Sequence, residues 1–181
     1  FAGLSIDSGA FGKGVALDAA VRAAREAGAP RGMLDFGGQV AVWGGAQHKV
    51  GIADPRDRSR PVIELVLTDA SLAVSGNSER ARTVGGRALG HLFDPRTGLP
   101  APERGSIVVV ARTATAADCM STGLYVASWA LARRLVAEGE ALGLAWAACM
   151  QAVLIGGVAL LVNLPGSPLF GVDPESHGTD R

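Results

Sequence analysis

Four times in this chain an apolar run gives way to a cluster of glycine and small polar residues: DSGAFGKG at 7–14, DFGGQ at 35–39, SGNSER at 75–80 and HLFDPRTG at 91–98. Glycine reaches backbone angles that other residues avoid, and a neighbouring Asp, Asn or Ser hydrogen-bonds its own turn, so such a cluster ends one element sharply before the next begins. A helical bundle has no use for that punctuation. The pattern calls for short strands and tight loops, and the 25 glycines and 5% aromatic content agree. Loops at strand ends are also where a rigid scaffold presents functional groups.

Between the clusters, periodicity gives the elements. Leu4 and Ile6 alternate with polar residues as a short strand. From Val15 to Ala27 apolar positions recur at helical spacing, with Gly28 as the stop. Met33, Leu34 and Phe36 predict a strand that Val40 and Val42 continue beyond Gly37-Gly38. Further strands are expected at HKVGIADP (48–55), VIELVLT (62–68) and LAVSG (72–76), with Asp69 at the turn between the last two, and SIVVVA (106–111) reads as a buried strand. The pattern from Thr115 to about Glu138 is helical, with a split expected near Gly123 and Thr115 as the cap. Ala141–Leu164 carries no charge and is long enough to span a bilayer as a helix. Gly156-Gly157 and the β-branched content of VALLVN instead predict a short buried segment, a turn and a final core strand. Strands and helices interleave without strict βαβ regularity, which makes the fold class α+β with a mixed β-sheet core and packed helices, in one domain over residues 1–181.

Seventeen basic residues balance seventeen acidic ones, so no global field recruits nucleic acid or an anionic membrane. Cys119 and Cys149 stand without a CxxC or a neighbouring His, and fit neither a disulfide framework nor a zinc site. The opening FAGLSIDSGAFGKG runs straight from a strand into a glycine turn, and the expectation is that the chain begins in mid-protein.

Two features carry chemistry. Lys13 follows Gly9 and Gly12 in a turn whose backbone N–H groups suit phosphate, although the spacing is not that of a P-loop, since Gly14 stands where a P-loop has Ser or Thr. Asp118 and Thr122 lie four residues apart, on one helix face, so a carboxylate and a hydroxyl point the same way. Two readings stand open for Asp118: an anion in the first turn of its helix, favoured by the dipole, or a ligand for a hard cation.

The four clusters in this order, followed by ATAADCMST, resemble the ApbE family of flavin transferases. That family's pattern runs D-x-G-G/A-x-A-K-G, N-x-G-G-D/N, S-G-D/N, H-x-x-D-P-R/x-T-G and A-D-x-x-x-T, and the likeness covers about residues 4–130. The tail VLIGGVALLVN is similar to the family's closing strands, while the family's N-terminal third has no counterpart here. The resemblance implies an enzyme that splits the pyrophosphate of FAD with Mg²⁺ and attaches FMN to a Thr or Ser hydroxyl of an acceptor protein. Hydrolysis of FAD to FMN and AMP, or flavin binding without catalysis, are the alternatives. It also implies Asp118, Thr122 and the Gly12 carbonyl as metal ligands. Ser75, Gly76 and Asn77 would line the flavin or phosphate cleft, with Lys13 and Arg96 meeting phosphate and Asp94 and Thr97 shaping the loop at the cofactor. His91 is either the base for the acceptor hydroxyl or a residue that holds its loop. Departures are Gly12 where the family has Ala, Asp35 and Gln39 around the double glycine, and Ser78 where an aromatic residue is common. Partners are FAD and the acceptor protein, with no nucleic acid. Membrane association would come only through a preceding segment or the acceptor, and the resemblance suggests the bacterial periplasm or cell-envelope face.

Overall fold

The computed structural model describes residues 3, 6–54, 57–77, 82–103, 105–127, 130, 134, 150–155 and 158–163. In chain order these form α1 (Gly12–Glu26), β1 (Gly32–Asp35), β2 (Gln39–Trp43), β3 (His48–Ala53), β4 (Pro61–Leu67), β5 (Ser71–Gly76), β6 (Arg82–Val84), β7 (Arg87–Leu89), β8 (Phe93–Asp94), β9 (Leu99–Pro100), β10 (Ser106–Ala111), α2 (Ala114–Val126), β11 (Met150–Ile155) and β12 (Val158–Asn163). Six strands make one sheet in the order β1-β2-β5-β10-β12-β11. Only β10 and β12 run parallel; the other neighbours are antiparallel. The fold is therefore α+β on a mixed sheet.

Strand β10 shows why three layers form. It is buried along its whole length, and side chains alternate across a strand. Val108 and Val110 go to one face, where they pack with Val40, Val42 and Leu72 against Ile52, Ile63, Leu65 and Leu67 of the β3-β4 hairpin. Ile107, Val109 and Ala111 go to the other, against Ala117, Leu124 and Tyr125 of α2. A third cluster, Leu17, Ala41 and Ala114, ties α1 to β2 and α2. The six-stranded sheet lies between a hairpin and a helical layer, and the helical layer carries the site.

Several expectations are corrected. Gly37 and Gly38 do not carry the strand forward: both have positive φ (67° and 87°), and the chain reverses into the antiparallel pair β1-β2. The helix after β10 runs from Ala114 through Gly123 unbroken, so the break comes at Ala127, which turns extended; Ala130 and Arg134 are helical again, and the rest of the stretch to Glu138 lies outside the described residues. Its cap is Thr113, whose side chain accepts from the Ala116 N–H, and not Thr115. The first turn of α2 holds no acidic residue, which removes the capping reading of Asp118 in its own helix. Ile6 lies in no regular element and is exposed, while Leu4 lies outside the described residues. The polar stretch after β5 contains the β6-β7 hairpin, turned at Gly85-Gly86, which periodicity had not shown.

The tail forms two paired strands, Met150–Ile155 and Val158–Asn163, and β12 enters the sheet beside β10. The final strand is as expected, and the segment directly before the Gly-Gly pair is a strand as well; residues 141–149 and the turn at 156–157 lie outside the described residues. Among the described residues no helix is long and apolar enough to cross a membrane.

Candidate active site

Helices α1 and α2 hold each other by their carboxylates. Asp18, in the second turn of α1, accepts from the N–H groups of Ala114 (2.8 Å) and Thr115 (2.9 Å) and from the Thr115 hydroxyl (2.6 Å), at the start of α2. Asp118 of α2 returns the arrangement: its Oδ2 accepts from the Gly14 N–H at 2.9 Å, in the first turn of α1. Each helix thus places an anion at the other's positive end, where unpaired N–H groups need acceptors. The contact is close enough that a Cβ on Gly14 would lie 2.5 Å from the Ala114 carbonyl oxygen. Gln39, fully buried, adds a bond from Nε2 to the Ala114 carbonyl at 2.7 Å.

Over this junction opens a cavity of about 530 Å³, lined by Gly12, Lys13, Ser75, Gly76, His91, Asp118 and Thr122 together with Ser8, Gly9, Phe36 and Gly37. The first glycine cluster shapes its rim: Asp7 accepts from the Gly9 N–H, and the Ser8 carbonyl accepts from the N–H of Phe11 and Gly12 as α1 begins. Asp118 is buried, and among the described residues its Oδ1 makes no hydrogen bond. Thr122, one turn on, is half-buried. Ser75, at the end of β5, lies 2.8 Å from the Ser121 hydroxyl and 3.1 Å from the Thr122 hydroxyl, and Ser121 donates to the Asp118 carbonyl at 3.0 Å. Lys13 is half-buried and forms no ion pair among the described residues. His91 is exposed at the cavity mouth.

This donor set suits a small hard cation. One carboxylate oxygen free of hydrogen bonds and a hydroxyl one turn away offer hard oxygens, and the opening leaves room for water and phosphate, as Mg²⁺ requires. Among the described residues no group of three or more His, Cys, Asp or Glu forms a closed cage.

The structure does not bring Asn77, Asp94, Arg96 and Thr97 to the cavity. Asn77 is buried and donates to the Ala101 carbonyl at 3.0 Å, with its Oδ1 unpartnered among the described residues. Gly90 lies against that amide and leaves no room for a side chain. Arg96 grips Asp94 bidentately at 2.8 and 2.7 Å and donates to the Val126 carbonyl. The hydrogen bond to Asp94 raises the guanidinium above its ordinary pKa. Its planar fork is turned to a carboxylate of its own loop. The Asp94 carbonyl accepts from Thr97 and Gly98, with Gly98 at φ 68°, and the Ala101 N–H returns to Leu92. These residues fold the β8-β9 hairpin, and the motif's contribution at the cavity is His91 with Leu92.

Sequence reasoning missed Asp18, Gly14, Ser121 and Phe36. Asp18 reads as one of several charges on a solvated helix face. Ser121 is a small polar residue inside ADCMST, and Gly14 reads as turn chemistry. Phe36 had a visible signal: an aromatic beside a double glycine at a strand end, here partly exposed on the cavity wall.

The profile described as the ApbE family matches residues 1–145. The FAD:protein FMN transferase of Klebsiella pneumoniae is 30% identical over 141 residues, covering 75% of this chain and 40% of that protein. The FAD:protein FMN transferase of Rhodobacter capsulatus is 33% identical over 127 residues, covering 68% of this chain and 24% of its own length. Among solved structures, the ApbE protein of Thermotoga maritima superposes with a TM-score of 0.72 at 30% identity, over 86% of this chain and 50% of that one. The apo flavinyl transferase ApbE of Pseudomonas stutzeri shares the fold, with a TM-score of 0.56 at 23% identity over 68% of this chain and 40% of its own. The chain thus spans half or less of the length of each of these proteins. With the family profile over residues 1–145 and a superposition on an ApbE protein over 86% of its length, this chain belongs to the ApbE family.

Proposed function

We propose that residues 1–181 are part of an Mg²⁺-dependent FAD:protein FMN transferase, which cleaves the pyrophosphate of FAD and joins FMN to a Thr or Ser hydroxyl of an acceptor protein. The observation that carries the reading is one cavity bordered by Asp118, Thr122, Gly12, Lys13 and His91, residues drawn from α1, α2 and the loop before β8. The names of the curated relatives support the reaction. FAD and the acceptor protein are the proposed partners.

Asp118 and Thr122, with the Gly12 carbonyl, would hold the metal. When bound, Mg²⁺ supplies Lewis-acid polarisation of a phosphoryl group and neutralises charge on the departing AMP. Lys13 meets phosphate oxygens as a point charge, and among the described residues no ion pair holds its ammonium away from them. The first turn of α1 adds its N-terminal dipole, which favours an anion in the same place. His91, exposed on the cavity lining, takes the proton of the acceptor hydroxyl as the phosphoester forms and AMP departs. Asp94, Arg96 and Thr97 act on FAD only through the hairpin that holds His91.

The test is AMP release and FMN incorporation into an acceptor peptide, measured against Mg²⁺ concentration for wild type and Asp118→Asn. Asn retains an oxygen for the Gly14 N–H but removes the charge, so the fold persists while metal-dependent cleavage falls by about two orders of magnitude or more. An Asp118→Asn protein that titrates like wild type defeats the metal assignment. AMP release without peptide labelling would make the protein an FAD pyrophosphatase, and FAD binding without AMP release a flavin-binding module.

A further inference from the structure

We propose that Ser121 is a positioning residue that fixes the proton of Thr122, so that Thr122 Oγ1 presents lone pairs to the cavity. The inference rests on the metal reading of Asp118 and Thr122. Its basis is the direction of three hydrogen bonds. Ser121 Oγ lies 3.0 Å from the Asp118 carbonyl oxygen. A carbonyl only accepts, so Ser121 donates and its single proton is committed. Ser75 Oγ is 2.8 Å from Ser121 Oγ, and since Ser121 has no second proton, Ser75 donates there. Ser75 has then used its own proton, and the 3.1 Å contact between Ser75 and Thr122 runs from the Thr122 hydroxyl to Ser75.

The chain of three hydroxyls has one polarity, set at its buried end. Ser121 is fully buried, so water does not compete for its proton, and Ser75 is 8% exposed at the cavity wall. A hydroxyl that turned its proton into the cavity would repel a cation. One whose proton is held by Ser75 offers its lone pairs, which is what a hard cation takes from a neutral ligand. Each bond in the series also polarises the next, which leaves Thr122 Oγ1 a better donor of electron density than an isolated alcohol. Remove the Ser121 hydroxyl and the order is lost: Ser75 is free to donate to Thr122, whose proton then turns outward.

The test uses the full chain and Mn²⁺ as the probe, with binding read from the loss of the free-ion paramagnetic resonance signal, so that no turnover is needed. Ser121→Ala should weaken Mn²⁺ about three- to ten-fold, the loss of one hydrogen bond. In a Thr122→Val background the same substitution should add nothing, because the group it orients is gone. A merely structural role for Ser121 would lower affinity equally in both backgrounds, and that result, or wild-type affinity in Ser121→Ala, overturns the proposal. Ser75→Ala, which interrupts the series from a strand, is the second variant if Ser121→Ala does not fold. It should likewise weaken Mn²⁺ in the wild-type background and have no effect beside Thr122→Val, and equal effects in both overturn the proposal. Asp118→Asn separates the two levels: unchanged Mn²⁺ binding there removes the metal site itself, whereas lost binding there with no effect at Ser121 removes only the relay.

Discussion

Gly14 and Gly123 provide the same chemical change with opposite expected signs. A Cβ on Gly14 would lie 2.5 Å from the Ala114 carbonyl oxygen, 2.6 Å from Thr115 Cα and 2.8 Å from the Ala114 carbonyl carbon, all backbone atoms. Relief needs the helices to separate by about 1 Å, to restore ordinary contact near 3.5 Å. Bonds now at 2.6–2.9 Å between Asp18, Asp118 and the facing helix ends would then stretch past useful length. Overpacking costs about 1–3 kcal/mol, and losing one charge-assisted bond costs about 1.5–3 kcal/mol. The better helix propensity of Ala returns about 1 kcal/mol. The net is a loss of roughly 1.5–5 kcal/mol for Gly14→Ala. At Gly123, inside α2, no described residue beyond the helix's own backbone lies within 4 Å of the added methyl, so Gly123→Ala should gain about 0.5–1 kcal/mol. Urea unfolding followed by circular dichroism gives both numbers. Equal stabilisation of the two variants would refute the close contact between α1 and α2.

His91→Gln should lower FAD turnover with FAD affinity retained and remove the acid limb of the pH–rate profile, as expected of a base; a fall in affinity with the limb intact would make it a contact residue instead. Phe36→Ala should weaken FAD about two- to thirteen-fold in a fluorescence titration, an aromatic contact's worth, and unchanged affinity would remove Phe36 from the flavin's surroundings. Asp57, exposed, is held below its ordinary pKa by hydrogen bonds from the Ser59 side chain and backbone. A depressed folded value means that its stabilising effect is complete above the unfolded pKa and is lost as pH falls through the folded one. Its carboxyl carbon resonance should therefore titrate below that of an unstructured Asp, and Ser59→Ala should bring the midpoint back up.

What could be read without coordinates is what local chemistry decides. Gly28 ends α1 with φ 91°, and its N–H returns to the Arg25 carbonyl. Asp69 sits at the turn between β4 and β5 with φ 47°, where it accepts from Gly44 and Gly45. The β-branched run of β10 is buried on both faces, and the Gly-Gly pair in the tail separates two strands. The failures are contacts between distant segments. The N–H that meets Asp118 lies 104 residues away in sequence, and Asp18 finds its partners 96 and 97 residues on. No periodicity distinguishes such a carboxylate from one facing water. Arg96 is the opposite case: motif position points it at phosphate, while its fork is held by a bidentate partner two residues away, Asp94. Gly37-Gly38 had a strand signal on both sides, and direction was lost because two positive-φ residues in a row turn the chain back.

The reciprocal caps also bear on how the proposed metal site, open and with one carboxylate, would be kept in register. Cages of several acidic side chains position one another through a shared ion; with a single carboxylate, the fold itself would have to fix the surroundings of the ion. Asp118 serves both needs with different oxygens. Its Oδ2 is held by the Gly14 N–H, which ties the carboxylate to the turn that carries the Gly12 carbonyl, while its other oxygen makes no protein hydrogen bond among the described residues. Asp18 closes the loop by anchoring the start of α2, so a shift of either helix along the other breaks both ends at once. Preorganisation of this kind costs stability only where the caps are missing, since the helix termini need acceptors in any case. The same hydrogen bonds therefore satisfy the fold and hold the Asp118 carboxylate at the cavity wall, and Gly14, a residue with no chemistry of its own, stands where the two helices meet.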